Sequence, residues 1–202
     1  MNNTLLKKHI SAYKQNLAKD PEKHAKDLAE RKERIAYYQS WTKDRILSMT
    51  EENFYDYLSR LWAMLIWGNK HYVVDKMIAD NGFDALKREL CELIWGTSPI
   101  VKRWDNFLKN VKGFGPATIS EILCHVCPEK YMLWNRRAYV SLNYLGVTGL
   151  PKYNYQMTGK KYAELSGVAQ NIADEMGTEG VEDVNLLTVD YFIWDELQVE
   201  EN

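Results

Sequence analysis

Leu108-Lys109-Asn110-Val111-Lys112-Gly113-Phe114-Gly115-Pro116-Ala117-Thr118-Ile119-Ser120-Glu121-Ile122-Leu123 is the stretch whose reading decides the fold. It sets a Gly-x-Gly turn between two segments of helical periodicity. Two glycines free the backbone to turn tightly and leave the first N–H groups of the following helix pointing outward. Such a turn binds a phosphate through backbone amides and the helix dipole, without reading base sequence. Lys112 adds a positive charge beside it.

Working outward, the same helical rhythm fills the chain. Residues 4–19 and 21–38 alternate apolar and charged positions, with Asp20 as a cap and Pro21 in the first turn of the second helix. Thr50-Glu51-Glu52 starts a helix in which Phe54, Tyr57, Leu58, Leu61, Trp62 and Leu65 share one broad apolar face up to Trp67, so a continuous, largely buried helix is expected to stop at Gly68. Further helices are expected from Tyr72 to Ala79, Phe83 to Trp95 and Ser98-Pro99 to about Val111. After the turn come Pro116 to Val126, an extended Tyr131 to Trp134, Arg136 to Leu145 and residues 159–176. Leu186 to Leu197 reads equally as helix or strand. The expectation is an all-α domain.

Composition agrees. Gly and Pro together number 16 of 202 residues, too few for the closely spaced turns of a β-sandwich or barrel. No apolar run reaches the roughly 18 residues of a membrane span, and the N-terminus lacks the apolar stretch of a signal peptide, so a soluble cytoplasmic protein with no membrane partner is expected. Charge is unevenly placed. Residues 1–50 carry 11 basic and 6 acidic groups, residues 51–150 carry 12 and 11, and residues 151–202 carry 3 and 11. This suggests a basic N-terminal helical arm (1–50), a core (51–150) and an acidic C-terminal segment (151–202) packing on that core. The basic half suits a polyanion, though a lysine-rich helix can equally be a solvated face. Cys91, Cys124 and Cys127 make no disulfide framework, and Cys124-His125-Val126-Cys127 lacks a second pair of ligands, so neither metal nor other cofactor is expected.

The turn at Gly113–Gly115 resembles a helix-hairpin-helix, the DNA-backbone clamp, and over residues 50–146 the chain resembles the DNA glycosylases built around that hairpin. The resemblance implies double-stranded DNA as partner, with Lys112, Gly113, Phe114, Gly115 and Ala117 of the hairpin as contacts. Arg136 and Arg137 are further candidate phosphate ligands, although arginines in the first turn of a helix also often face solvent. Trp67, Asn69 and Lys70 lie in the loop where the family places residues that fill the gap left by a flipped base. Two departures stand out. Ala117 occupies the slot of the Schiff-base lysine of lyase-type members, and Asn135 in Leu133-Trp134-Asn135-Arg136-Arg137 occupies that of the catalytic aspartate.

Glu121, four residues after Ala117 and therefore on the same helix face, is a replacement carboxylate, and Asp190 or Asp195 of the C-terminal segment is a further candidate. Each residue also has a structural role open to it. Glu121 reads as a solvent-exposed helix residue, Asn135 as the cap of the helix at Arg136, Gly68-Asn69 as a C-cap and Asp190 and Asp195 as polar edges of a docking tail. The leading expectation is a monofunctional DNA glycosylase that excises a damaged or modified base, in repair or in defence against modified phage DNA. The alternatives are a non-catalytic DNA-binding module of a repair, restriction or defence system, and a helical domain whose basic face meets an acidic protein.

Overall fold

Most of the helices begin on a side chain that accepts one of their otherwise unpaired amides. The computed structural model describes residues 1–197. Asn2 caps α1 (Asn3–Lys19) and Asp20 caps α2 (Pro21–Gln39). Thr42 caps the short α3 (Lys43–Leu47), and a Thr50–Asn53 capping box opens α4 (Glu51–Ser59). Asn69 caps α5 (Lys70–Asn81). Three consecutive helices then lack any side-chain cap: α6 (Phe83–Trp95), α7 (Ile100–Asn110) and α8 (Pro116–Val126). Caps return at Asn135 for α9 (Arg136–Tyr144), Thr158 for α10 (Gly159–Thr178) and Asn185 for α11 (Leu186–Asp195). Short 3-10 turns lie at Trp62–Met64 and Asn154–Gln156. No strand occurs among the described residues, so the protein is all-α, and Leu186 to Leu197 resolves as helix over α11.

α8 is the central element. Ile119 to Val126 are all buried, and α2, α11 and the turn at Trp62–Met64 pack around them. α7 packs on α6 and α10, α10 on α11, and α1 on α2, α10 and α11. Leu6, Ile10, Tyr38, Phe54, Trp104, Leu142, Tyr162 and Phe192 belong to one apolar cluster. The three segments distinguished by charge therefore share a core: α1 and α2 are structural walls of it rather than a projecting arm. Residues 198–202 of the acidic segment lie outside the described residues.

The expected continuous helix from Phe54 to Trp67 is interrupted. α4 ends at Ser59, Leu61 is extended (ψ 138°), and a 3-10 turn follows at Trp62–Met64. Leu65 turns outward and is 68% exposed, against the apolar face assigned to it. The cause is tertiary. The Glu121 carboxylate of α8 accepts hydrogen bonds from the amides of Trp62 (2.6 Å) and Ala63 (2.8 Å), drawing the backbone out of the helical path.

Among the described residues no helix is long and apolar enough to cross a membrane.

Candidate nucleic-acid interface

α7 and α8 are joined by Val111 to Gly115, and the turn is fixed from outside. Asn81, the last residue of α5, accepts from the Lys112 amide (2.7 Å) and donates to the Lys112 carbonyl (3.0 Å) and to its own Met77 carbonyl (2.7 Å). Gly113 takes φ +89°, and a Cβ there would sit 2.9 Å from Met77 Cγ, so the position requires glycine on both counts. Phe114 is buried, packed edge-on against Phe107 at 5.4 Å, and so anchors the turn rather than reaching for a ligand. Gly115 begins α8 with no side-chain cap, and Pro116 has no N–H. The amides of Ala117 and Thr118 are then the donors left for an incoming acceptor. Lys112 is exposed and forms no ion pair among the described residues, and Lys109 is exposed one turn earlier.

The remaining contact candidates are more committed. Asn69 accepts from the Tyr72 amide (3.0 Å) as a cap, and Lys70 Nζ donates to the Ser59 carbonyl (3.1 Å), closing the loop onto the end of α4. Trp67 is 48% exposed and, with Leu65 and Ile66 (80%), forms an apolar protrusion beside the Glu121-held turn. The Arg136 guanidinium lies over Tyr139 (5.3 Å) and that of Arg137 over Trp194 (5.1 Å).

Behind the hairpin the candidate catalytic residues separate. Glu121 is buried at 1% exposure, not solvent-exposed, and both its oxygens are engaged by the Trp62 and Ala63 amides. Loss of solvent pushes its pKa up to about 7, with the two amides and the Arg34 charge acting in the opposite direction. Arg34 stacks over the Trp62 ring at 4.1 Å and donates to the Arg60 carbonyl. Asp190 on α11 is crowded by protein although part of its surface reaches solvent. Desolvation and then the charge of Glu121 push its pKa up to about 7. A negative charge on Glu121 thus disfavours the ionisation of Asp190, in addition to the larger effect of lost solvent.

Asn135 spends its Oδ1 on the Ala138 amide (2.8 Å) as the cap of α9. Its neighbour Trp134 is tied to α8 through Ser120 Oγ, which accepts from the Trp134 amide at 2.9 Å. Asp195 does not return to Glu121; it pairs with Lys23 of α2 at 3.0 Å. That pair lines a cavity of about 270 Å³ with Tyr13 and Asp27, and a second cavity of about 330 Å³ lies between Arg31, Lys32, Asp183 and Thr188. Neither is lined by Glu121, Asn135 or the hairpin.

His125 is fully buried, stacked on Tyr38 at 4.9 Å with neither ring nitrogen partnered, and burial lowers its pKa to about 3. It is a neutral packing residue. Cys124 is buried and Cys127 half-buried, both free thiols raised by desolvation. No group of three or more metal-capable side chains occurs among the described residues.

Two participants lay outside the sequence reading. Asn81 was visible only as a helix end before Gly82, and Arg34 only as one cation among many on α2. Nothing local signals that either reaches across the fold. No family model, no curated protein and no solved structure matches the chain.

Proposed function

We propose that this protein binds double-stranded DNA by its phosphate backbone, using the α7–α8 turn as a helix-hairpin-helix clamp. The observation that carries this reading is the α8 N-terminus: it has no side-chain cap and follows a glycine turn clamped by Asn81, with the Lys112 cation, which forms no ion pair among the described residues, beside it. Amides at a helix start and a nearby ammonium suit an anionic oxygen. A phosphate contact carries no sequence information, so affinity is expected to be similar across duplexes of unrelated sequence. Fluorescence anisotropy with several labelled duplexes tests this. Binding confined to one sequence, or absent from all of them, contradicts it.

A second reading, hydrolysis of an N-glycosidic bond in a damaged or modified nucleotide, is favoured by one observation: Glu121 and the partly accessible Asp190 are two carboxyls whose pKa values are raised to about 7, each chiefly by loss of solvent. At neutral pH each of these carboxyls is therefore partly charged and partly protonated. The charged member takes a proton from water as the water oxygen bonds to the sugar carbon. The base departs with the bonding electron pair and takes up a proton from solvent, while the carboxyl returns its own proton to solvent. Asp190 is the member with solvent access, its proton held chiefly by desolvation and secondarily by the charge of Glu121. In this reading Asp190 takes the place of the catalytic aspartate whose slot Asn135 occupies. Mass-spectrometric detection of free base from duplexes carrying modified bases tests it, with Asp190→Asn expected to lower release by roughly two orders of magnitude. If the wild-type protein releases no base, it is a non-catalytic DNA-binding module.

A further inference from the structure

We infer that Tyr153 and Tyr155 form a stacking platform for an unpaired base of a DNA strand gripped at the adjacent hairpin, an inference that rests on the proposed phosphate clamp. Both rings are exposed, Tyr153 by 54% and Tyr155 by 80%. They lie nearly parallel, 8° apart with centroids 5.7 Å from each other, in an offset arrangement. Lys152 Nζ is 5.9 Å from the Tyr153 ring centre and forms no ion pair among the described residues.

The turn that presents these rings is held rigidly. Gln156 Oε1 accepts from the amides of Lys152 (2.8 Å) and Tyr153 (3.0 Å). The buried Trp104 of α7 donates through Nε1 to the Met157 carbonyl at 2.9 Å. Asp105 of the same helix accepts from the Gly159 amide at 2.7 Å. A Cβ at Gly159 would collide with the Val101 carbonyl, so the segment lies against α7 as closely as backbone allows. The backbone carrying the two aromatic rings is thus tied to the first helix of the hairpin, which lowers the cost of ordering it on binding.

Position makes this a nucleic-acid surface. Asn154, between the two tyrosines, has its side-chain nitrogen 3.7 Å from the point where a Cβ on Gly115 would stand. The platform therefore borders the turn that begins α8. Aromatic faces beside a cationic, phosphate-binding turn are the combination that holds single strands: the backbone is tracked by charge and each base stacks irrespective of identity. Bases inside an intact duplex already stack on their neighbours. The occupant is consequently an unpaired base, at a single-stranded extension next to the duplex.

The test uses the full chain and labelled duplexes of one sequence, either blunt or with a short single-stranded extension carrying 2-aminopurine. Wild-type protein is expected to bind the extended DNA roughly tenfold more tightly than the blunt DNA and to quench the 2-aminopurine. Replacing both residues, Tyr153→Ala with Tyr155→Ala, abolishes that preference while leaving blunt-duplex affinity intact; replacing both with Phe preserves it. Equal affinity for the two DNAs, or a preference that survives the alanine pair, overturns the platform alone. Failure of Lys112→Ala to weaken either DNA overturns the clamp and the inference that rests on it, as does absence of binding to both DNAs.

Discussion

Replacing Glu121 with Gln perturbs the one polar group on which the break between α4 and α5 depends, and its effect should be read through pH. Burial raises the Glu121 pKa from 4.5 to about 7, and Asp190 is raised in the same direction. Between about pH 4 and 7 the folded protein therefore retains protons that the unfolded chain has released. Stability from these groups is present below that window and is lost as pH rises through it. For Glu121 alone the loss is about 3 kcal/mol by pH 8. His125 works in the opposite sense: its pKa is lowered to about 3, so its contribution is present above 6.5 and lost as pH falls. That contribution is common to both proteins and cancels in their difference.

Glu121→Gln keeps an acceptor for one of the Trp62 and Ala63 amides but turns an NH2 toward the other, a pH-independent destabilisation of about 1–3 kcal/mol. It also removes the lesser of the two causes that raise Asp190, leaving desolvation. Urea unfolding at pH 5 through 8 should show wild-type stability falling relative to the variant by about 2.5 kcal/mol across the range. A constant stability difference at every pH would refute the claim that the Glu121 carboxyl ionises in the folded protein at a substantial energetic cost.

Gly113→Ala should lower the melting temperature by several degrees, because φ +89° and the 2.9 Å approach to Met77 both oppose a Cβ; Gly115→Ala, with only the Asn154 side chain at 3.7 Å, should fold with near wild-type stability. Comparable losses in the two variants, by calorimetry, would contradict this account of the turn. Asn81→Ala removes both hydrogen bonds to Lys112 and is expected to destabilise the protein by about 1–2 kcal/mol while weakening duplex binding, measured by urea unfolding and anisotropy. In the native protein a thiol reagent should modify the half-buried Cys127 well before the buried Cys124 and Cys91; equal rates under native conditions would show that these thiols are not enclosed as described.

What the sequence makes legible is what is local. Asp20, Thr50 and Asn135 announce helix starts because a cap needs only a side chain and the amides just ahead of it. The Gly113–Gly115 turn is equally visible, since a positive φ has few candidate residues. Misreadings arise where distant groups decide. The apolar spacing from Phe54 to Trp67 describes a continuous helix well, and only Glu121, about sixty positions away, breaks it. Leu186 to Leu197 is an apolar run without clear period, and its packing against α8, α9 and α10 settles it as helix. Asp190 and Asp195 were indistinguishable as candidates. Five residues along α11 place one near Glu121 and the other on Lys23.

The central claim is that the α7–α8 turn grips DNA phosphate, and the salt dependence of binding tests it most directly. Duplex affinity should fall steeply as salt rises from about 50 to 200 mM, because each neutralised phosphate releases counterions. Lys112→Ala should weaken binding about equally for unrelated sequences and reduce the slope of log K against log salt by about one. Salt-independent binding, or an unchanged slope in Lys112→Ala, would contradict the clamp.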